Sequence, residues 1–176
     1  MKRTATRQNR KMFSSTPETF TAAVLTVSDS SSRGERADLS GPAVIKILAA
    51  HNFRIVATQV APDDRTHIEN ALLQLSEKAQ LVVSTGGTGV AERDVTPEAT
   101  RAVCERLVEG VVERMRSEGA KKTPLAALSR AVCGLRGKCL ILNLPGSPAG
   151  AVDSLQAVID ILPHALKLLA GETPHS

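Results

Sequence analysis

Three short apolar segments that alternate with amphipathic segments limit the folds available to this chain of 176 residues. The segments TAAVLTVS (21–28), FRIVATQV (53–60) and LVVST (81–85) are rich in β-branched residues. Short apolar runs of this kind are typical of strands that are buried on both faces of a parallel sheet. Their alternation with helical patterns therefore predicts an α/β fold.

The segments between these runs have helical patterns. A helix is expected from Pro42, with proline in its first turn, and another from about Asp63, with apolar residues on one face. Thr96 and Pro97 are predicted to be the N-cap and the first residue of a third helix. The apolar pattern continues past Gly110, which leaves open whether this part forms one helix or two.

The C-terminal part adds a hairpin and a last helix. Residues 128–144, LSRAVCGLRGKCLILNL, contain two strand-like runs around a turn near Gly137. Ser147 is predicted to cap the last helix, which Pro163 should kink or restart. Together, these elements predict a three-layer α/β/α sandwich that has a mostly parallel sheet and an antiparallel hairpin at its edge.

The net charge of +4 belongs to the N-terminal segment. Residues 1–13 contain five basic residues and no acid, so the rest of the chain carries a net charge of −1. We interpret residues 1–19 as a basic, disordered tail and residues 20–176 as a single domain. A transit peptide and a non-specific phosphate contact are weaker interpretations of the tail. With three Phe and no Trp or Tyr, the chain lacks base-stacking residues, and we expect no nucleic-acid partner.

The cysteine pattern and the lengths of the apolar runs indicate the cellular compartment in which the protein is expected. Cys104, Cys133 and Cys139 are odd in number and include no C-x-x-C pair, so they indicate neither a disulfide framework nor a zinc site. A hairpin would bring Cys133 and Cys139 face to face, but we interpret the cysteines first as small buried hydrophobic residues. No apolar run reaches the roughly 18 to 20 residues that span a bilayer. We therefore expect a cytoplasmic protein without membrane association.

The segment STGGTGVAERDVTP (84–97) carries the strongest functional signal. Gly86, Gly87 and Gly89 directly follow a predicted strand. Glycines let a ligand approach the main chain, where free N–H groups bind phosphate oxygens. No Gly-Lys-Ser/Thr follows, and Glu92 stands where a dinucleotide-binding loop has its third glycine. We therefore predict a phosphate-binding loop of another kind, with a tight strand-to-helix turn as the alternative.

Two acidic residues follow the second and third predicted strands. Ligands of parallel sheets bind outside the carboxyl ends of the strands. Four polar loops are expected there: 28–41, 61–64, 84–96 and 143–148. Asp63 and Asp94 in these loops suit the binding of Mg²⁺ against phosphate oxygens. Each also has a structural interpretation: an N-cap for Asp63, and an ion pair with Arg93 or a role in a turn for Asp94. The helix start at Ser147 predicts a second anion site, and hence two phosphorylated ligands or one long one.

Several segments, taken together, resemble the molybdenum cofactor biosynthesis proteins of the MogA/MoaB family, which includes domains of gephyrin and of plant enzymes. The similar segments are STGGTG followed by RDVTPEAT, VLTVSDS with RADLSGPAV, APDD, and LSRAVCGLRGKCLILNLPGSPAGAV. They extend from about residue 21 to residue 170. The resemblance implies a three-layer α/β/α domain. For the MogA branch it implies transfer of AMP from ATP to the terminal phosphate of molybdopterin, with Mg²⁺ and with release of pyrophosphate.

The resemblance also implies roles for individual residues. Asp63 in APDD and Asp94 in ERDVTP match the two catalytic aspartates of the family, and we assign both to Mg²⁺ as well. The loops for nucleotide and pterin match a larger set: Asp29, Ser84, Thr85, Gly86, Gly87, Thr88, Gly89, Asn143, Pro145, Gly146 and Ser147. Val90 and the pair Glu109-Gly110 depart from the residues that are usual in the family.

Finally, the resemblance implies an assembly and partners. Family members are typically trimers, so a homotrimer is expected, with a hexamer as the alternative. The product would be handed to a molybdate-inserting protein. Because some MoaB-like members bind the pterin without transferring AMP, a non-catalytic molybdopterin-binding protein is the alternative function.

Overall fold

The computed structural model of the protein describes residues 18–172. The basic tail predicted for residues 1–19 lies outside this range except for its last two residues. Within it, the strands are β1 (Phe20–Val27), β2 (Phe53–Ala61), β3 (Leu81–Thr85), β4 (Arg106–Leu107), β5 (Cys133–Arg136) and β6 (Cys139–Leu144). The helices are α1 (Asp29–Ser32), α2 (Ser40–Ala50), α3 (Arg65–Ser76), α4 (Thr96–Val103), α5 (Glu109–Ala120), α6 (Pro148–Gln156) and α7 (Leu162–Ala170), with a 3-10 helix at Pro124–Leu128.

The strands of the described range form one sheet in the order β2-β1-β3-β6-β5-β4. Strands β2, β1, β3 and β6 are parallel, whereas β5 runs antiparallel to both β6 and β4. This arrangement confirms the predicted fold, including the antiparallel edge. None of the helices between residues 18 and 172 is long and apolar enough to cross a membrane.

Alternate residues of the central strands point to opposite faces of the sheet. Ala22 and Val24 of β1 pack into one hydrophobic cluster with α2, α5, α6 and α7, and Ala23 and Leu25 pack into another with α3 and α4. Because successive side chains of a strand point to opposite faces, a strand in a sheet that is covered on both faces contributes apolar side chains to two separate clusters. The three layers therefore follow from β1 itself, whose side chains are almost all buried.

The helix boundaries correct one prediction and decide another. Thr96 does not cap α4. It lies within the helix, and its hydroxyl donates to the carbonyl oxygen of Gly86 at 2.9 Å. The predicted helical region after it is two helices, because β4 separates α4 from α5, and Gly110 lies inside α5 instead of interrupting it. Ser147 caps α6 as predicted, and Pro163 lies in the first turn of a new helix.

The two cysteines of the hairpin do not face each other. Cys133 pairs with Leu142 and Cys139 with Arg136, because the turn sets the register of the strands. Cys133 belongs to one hydrophobic cluster and Cys139 to the other, on opposite faces of the sheet. Both are free thiols, as is Cys104. Burial raises the pKa of Cys133 and Cys139 to about 12, so both thiols are uncharged at neutral pH.

Candidate functional site

The loops that follow β1, β2, β3 and β6 meet at one edge of the sheet, because these four strands are parallel. A cleft of about 430 Å³ lies between them, and we call it the first cleft. Residues from all four loops line it, among them Ser30, Arg36, Asp63, Gly87, Asp94 and Ser147. The convergence predicted from the sequence is therefore present.

Asp63 is held by a reciprocal pair of hydrogen bonds with Asp29. The Asp29 amide donates to Oδ2 of Asp63 at 2.9 Å, and the Asp63 amide donates to Oδ1 of Asp29 at 2.9 Å. The cap of α3 is the neighbouring Asp64, which accepts from the amide of His67 at 2.9 Å. The predicted N-cap role of Asp63 is therefore wrong, and its carboxylate is directed to the cleft and to Asp29 instead.

The surroundings of Asp63 disfavour its charged form. Burial raises the pKa of this half-buried carboxyl most, and the negative charges of Asp29 and Asp94 raise it further. The hydrogen bond from the Asp29 amide and the charge of Arg93 act in the opposite direction, but the pKa stays above its ordinary value. A cation in the first cleft would relieve this repulsion.

The glycine loop has a backbone that other residues adopt only with strain. Gly86 has a φ of 102° and Gly87 a φ of 63°. A Cβ at Gly86 would overlap the carbonyl oxygen of Val27, and a Cβ at Gly87 would overlap Oγ1 of Thr96 and lie 3.3 Å from Oδ1 of Asp63. Thr96 holds this loop, since its amide donates to the Gly87 carbonyl at 3.1 Å. The Asp63 carboxylate thus lies directly against the loop.

Asp94 closes a tight turn that follows the glycines. Its Oδ2 accepts from the Ala91 amide at 3.0 Å, and its own amide donates to the Ala91 carbonyl at 2.9 Å. A Cβ at Gly89 would lie 2.7 Å from the same Oδ2, so the glycine makes room for the carboxylate. Among the ion pairs of residues 18–172, none joins Asp94 to Arg93, so the ion-pair interpretation is wrong, whereas the turn role is present.

A second cleft, of about 500 Å³, lies on the other side of the glycine loop. The 3-10 helix contributes Leu125 and Leu128 to it, which are 69% and 52% exposed, and Lys122 and Asp153 form an ion pair of 2.5 Å in its lining. The two clefts share four residues: Gly87, Asp94, Gly146 and Ser147. We call these four the junction. The site is therefore two adjoining clefts of different chemistry with one common wall.

Three of the predicted binding residues lie beneath the loops. Ser84, Thr85 and Asn143 are fully buried and line neither cleft. Nδ2 of Asn143 donates to the hydroxyls of Ser84 and Thr100, each at 2.9 Å, and its Oδ1 accepts a main-chain amide of the hairpin at 3.1 Å. The Thr85 hydroxyl donates to the Pro145 carbonyl at 2.7 Å. These side chains tie β3, α4 and β6 together and support the two loops.

The other predicted residues divide between the two clefts. Asp29 supports Asp63 without lining either cleft. Gly86 lines the first cleft, Thr88, Gly89 and Pro145 line the second, and Gly87, Gly146 and Ser147 line both.

Sequence reasoning missed two arginines: Arg36 in the first cleft, and Arg130, which contacts the turn that Asp94 closes. Nothing in the local sequence distinguishes a basic loop residue that contacts a functional site from one that is only solvated.

The donor set of the first cleft suits one kind of metal. In the part of the chain that the structure describes, no group of three or more His, Cys, Asp or Glu residues could hold an ion. Mg²⁺ is commonly bound by one or two carboxylates together with water and ligand phosphates. Asp63 and Asp94 beside a glycine loop fit that kind of binding, and they do not fit a zinc or calcium site built from protein ligands alone.

The fold and the clefts define an α/β/α domain that carries a glycine loop and two acidic residues at the carboxyl ends of a parallel sheet. The chain belongs to the family described as "Probable molybdopterin binding domain", which matches residues 23–164. This match confirms the family resemblance that the sequence motifs indicated.

Individual relatives cover nearly the whole of the chain. A protein of Helicobacter pylori (strain J99) named molybdopterin adenylyltransferase is 40% identical over 158 residues, which are 88% of this chain and 90% of that protein. A protein of Escherichia coli K12 with the same name is 36% identical over 170 residues, with 87% of each covered. The crystal structure of the molybdopterin biosynthesis enzyme MoaB from Thermus thermophilus has a TM-score of 0.81 and 48% identity, and 89% of this chain and 99% of that one are covered.

Proposed function

We propose that this protein acts in molybdenum cofactor biosynthesis by transferring AMP from ATP to the terminal phosphate of molybdopterin, with release of pyrophosphate. The names of the bacterial relatives, which match over nearly their full length, support this activity. The observation that carries the proposal is the junction, where two clefts meet at the glycine loop.

A transfer between two phosphorylated substrates needs a place where their phosphates meet. The junction offers main-chain groups at Gly87 and Gly146, and the start of α6, capped by Ser147, adds a helix N-terminus that favours anions. The organic parts of the two substrates then extend into separate clefts, one lined by arginines and serines and the other by exposed leucines. One cleft alone would not account for two bulky ligands.

The reaction needs positioning more than proton transfer. The terminal phosphate of molybdopterin is already an anionic nucleophile, so no strong general base is required. Its oxygen forms a bond to the α-phosphorus of ATP, the bond from that phosphorus to the bridging oxygen of the β-phosphate breaks, and pyrophosphate leaves. Arg36 and Arg93 in the first cleft offset negative charge during this exchange.

Asp63 and Asp94 are the residues that would hold Mg²⁺ in this proposal. When bound, Mg²⁺ supplies positive charge that offsets the charge of the leaving pyrophosphate. The raised pKa of Asp63 supports this assignment, since a cation nearby would favour its ionised form. Asn143, Ser84 and Thr85 act indirectly, by holding the loops of the junction in place.

The assembly and the compartment are part of the same proposal. On the family resemblance we assign a homotrimer, with a hexamer as the alternative, and handover of the product to a molybdate-inserting protein. The three free thiols support a reducing compartment and hence the cytoplasm. Light scattering of the purified protein distinguishes the two oligomers from each other and from a monomer.

The deciding experiment measures pyrophosphate release from ATP by the purified protein with Mg²⁺ and molybdopterin. Asp64→Asn is a matched control, because it lies beside Asp63 but caps α3 outside both clefts, and asparagine caps helices as well as aspartate does. We expect Asp63→Asn and Asp94→Asn to lose release and Asp64→Asn to keep it. If the wild-type protein binds molybdopterin but never releases pyrophosphate, the non-catalytic alternative is correct.

A further inference from the structure

We propose that Arg130 is a positioning residue that holds the Asp94 turn, residues 89–94, and through it the junction of the two clefts. This inference rests on the proposed function for its kinetic consequence. The inference that Arg130 holds the turn is based on the contacts of the Arg130 side chain.

The Arg130 guanidinium contacts both ends of the turn. Its Nε donates to the carbonyl oxygen of Gly89 at 2.7 Å, and its Nη2 donates to the carbonyl oxygen of Asp94. The Arg130 amide also donates to the carbonyl oxygen of Thr88 at 2.9 Å. One planar group therefore joins the first and the last residue of the turn to the segment that precedes β5.

Glu98 orients this guanidinium from α4. Its Oε1 accepts from Nη1 of Arg130 at 2.5 Å. The same helix begins at Thr96, which holds the carbonyl oxygens of Gly86 and Gly87. The glycine loop and the Asp94 turn are thus attached to the same helix, one through Thr96 and the other through Arg130 and Glu98.

The position of the Asp94 carboxylate depends on this attachment. Oδ2 of Asp94 is bonded to the Ala91 amide inside the turn, so the carboxylate moves with the turn. Arginine alone among the basic residues has a planar fork that reaches two carbonyl oxygens and a carboxylate together, and a lysine ammonium cannot reproduce that geometry. Misplacement of a catalytic group by about 1 Å lowers a rate by roughly 100-fold.

A simple contribution to stability is the competing explanation. The side chains of Arg130 and Glu98 are 37% and 38% exposed, and ion pairs at such sites contribute little to folding. Loss of the guanidinium should therefore change the activity far more than the melting temperature. Arg136 is a matched control, because it is also a partly buried arginine, and from the end of β5 it donates to the Val103 carbonyl at 3.0 Å, outside both clefts.

The first test compares Arg130→Lys and Arg130→Ala with Arg136→Ala in pyrophosphate release. We expect both Arg130 variants to lose roughly 100-fold in kcat with little change in Tm, and Arg136→Ala to keep the wild-type kcat. Guanidinium ion added at millimolar concentration should restore part of the activity of Arg130→Ala, since the site is open to solvent. Equal concentrations of urea or sodium chloride should not, and guanidinium should not restore Asp94→Asn.

Two results would overturn the proposal. One is a wild-type kcat in Arg130→Lys, and the other is a loss of activity that follows a large fall in Tm and does not respond to guanidinium. The second test needs no substrate and so separates this inference from the proposed function. Hydrogen exchange of the Ala91 amide should be at least about tenfold faster in Arg130→Ala than in the wild type or Arg136→Ala. If exchange is unchanged, the turn is not held by Arg130, whether or not the protein releases pyrophosphate.

Discussion

The two acidic residues of the first cleft are held in opposite ways. Asp63 is fixed by Asp29, which is 34 residues away in the chain, and its carboxyl is half-buried near two other negative charges. Asp94 is fixed within its own turn by the Ala91 amide, and the turn is braced from outside by Arg130. One carboxylate is held against repulsion, and the other is part of a local hydrogen-bonded turn.

These different surroundings indicate that the two carboxylates depend on different features of the structure. Electrostatic strain around Asp63 is tolerated because α3, β1 and β2 hold its loop, and a bound cation would relieve it. Asp94 needs an intact turn more than a special electrostatic environment. Changes to the charges that surround the carboxylates should therefore act mainly through Asp63, and changes to backbone geometry mainly through Asp94 and the glycine loop, whereas removal of either carboxylate should impair the reaction directly.

The largest expected effect is that of removing either charge from the site. Asp63→Asn and Asp94→Asn should each lower the kcat/KM of pyrophosphate release by roughly 1,000-fold, because in the proposed mechanism each removes a charge that acts on the transferring phosphates. The double variant should lose little more than either single variant, since residues that act as a unit are not additive. Additive losses would contradict a shared role and would separate the two residues.

The second expected effect tests geometry without a change of charge. Gly87→Ala forces a side chain into the space of Thr96 Oγ1 beside Asp63, at a φ of 63°. We expect a loss of about 100-fold in kcat/KM. Gly137→Ala is the matched control, because it has a φ of 53° and open space around it in the hairpin turn. It should cost about 1 to 2 kcal/mol in stability and leave the kinetics unchanged. Equal kinetic losses in the two variants would show that backbone strain alone is responsible.

The third expected effect is a shift of the pH profile. Asp29→Asn keeps an oxygen that can accept from the Asp63 amide but removes the negative charge that raises the pKa of Asp63. The pKa of Asp63 should fall, so the acid limb of the pH dependence of kcat/KM should move to lower pH. The maximal rate should change by no more than about threefold. An acid limb that stays in place would mean that Asp63 does not determine it.

The smallest expected effect is on stability in the absence of metal. The folded-state pKa of Asp63 is raised, so its contribution to stability is present below the unfolded pKa and is lost as the pH rises through the folded pKa. Asp63→Asn should therefore raise the Tm by about 2 °C at pH 7 in the presence of a chelator. This gain should shrink as the pH falls through the raised folded-state pKa and should be absent well below about 4, where Asp63 is protonated in both the folded and the unfolded state. A Tm below that of the wild type at pH 7 would show that the carboxylate stabilises its loop.

Much of the fold and part of the site could be predicted from local patterns. The apolar strands and the glycine loop are recognisable because their signals lie within a few consecutive residues. Asp63 and Asp64 are residues whose roles could not be predicted from local patterns. The two are identical and adjacent, and the path of the chain as it leaves β2 decides that Asp64 caps α3 while Asp63 turns toward Asp29. The predicted cap at Thr96 is wrong for a similar reason, since its hydroxyl bonds a loop ten residues earlier.

The sequence by itself determined the sheet, the order of its layers and the glycine loop at its carboxyl edge, because periodicity and backbone freedom are local properties. Only the tertiary structure decided which polar side chains line the clefts. Asn143 is indistinguishable from a ligand-binding residue until its amide is seen bonded between β3 and α4. Arg130 carries no signal at all until its guanidinium meets the Gly89 carbonyl, 41 residues earlier in the chain. Such pairings form when distant segments pack together, and no spacing in the sequence records them.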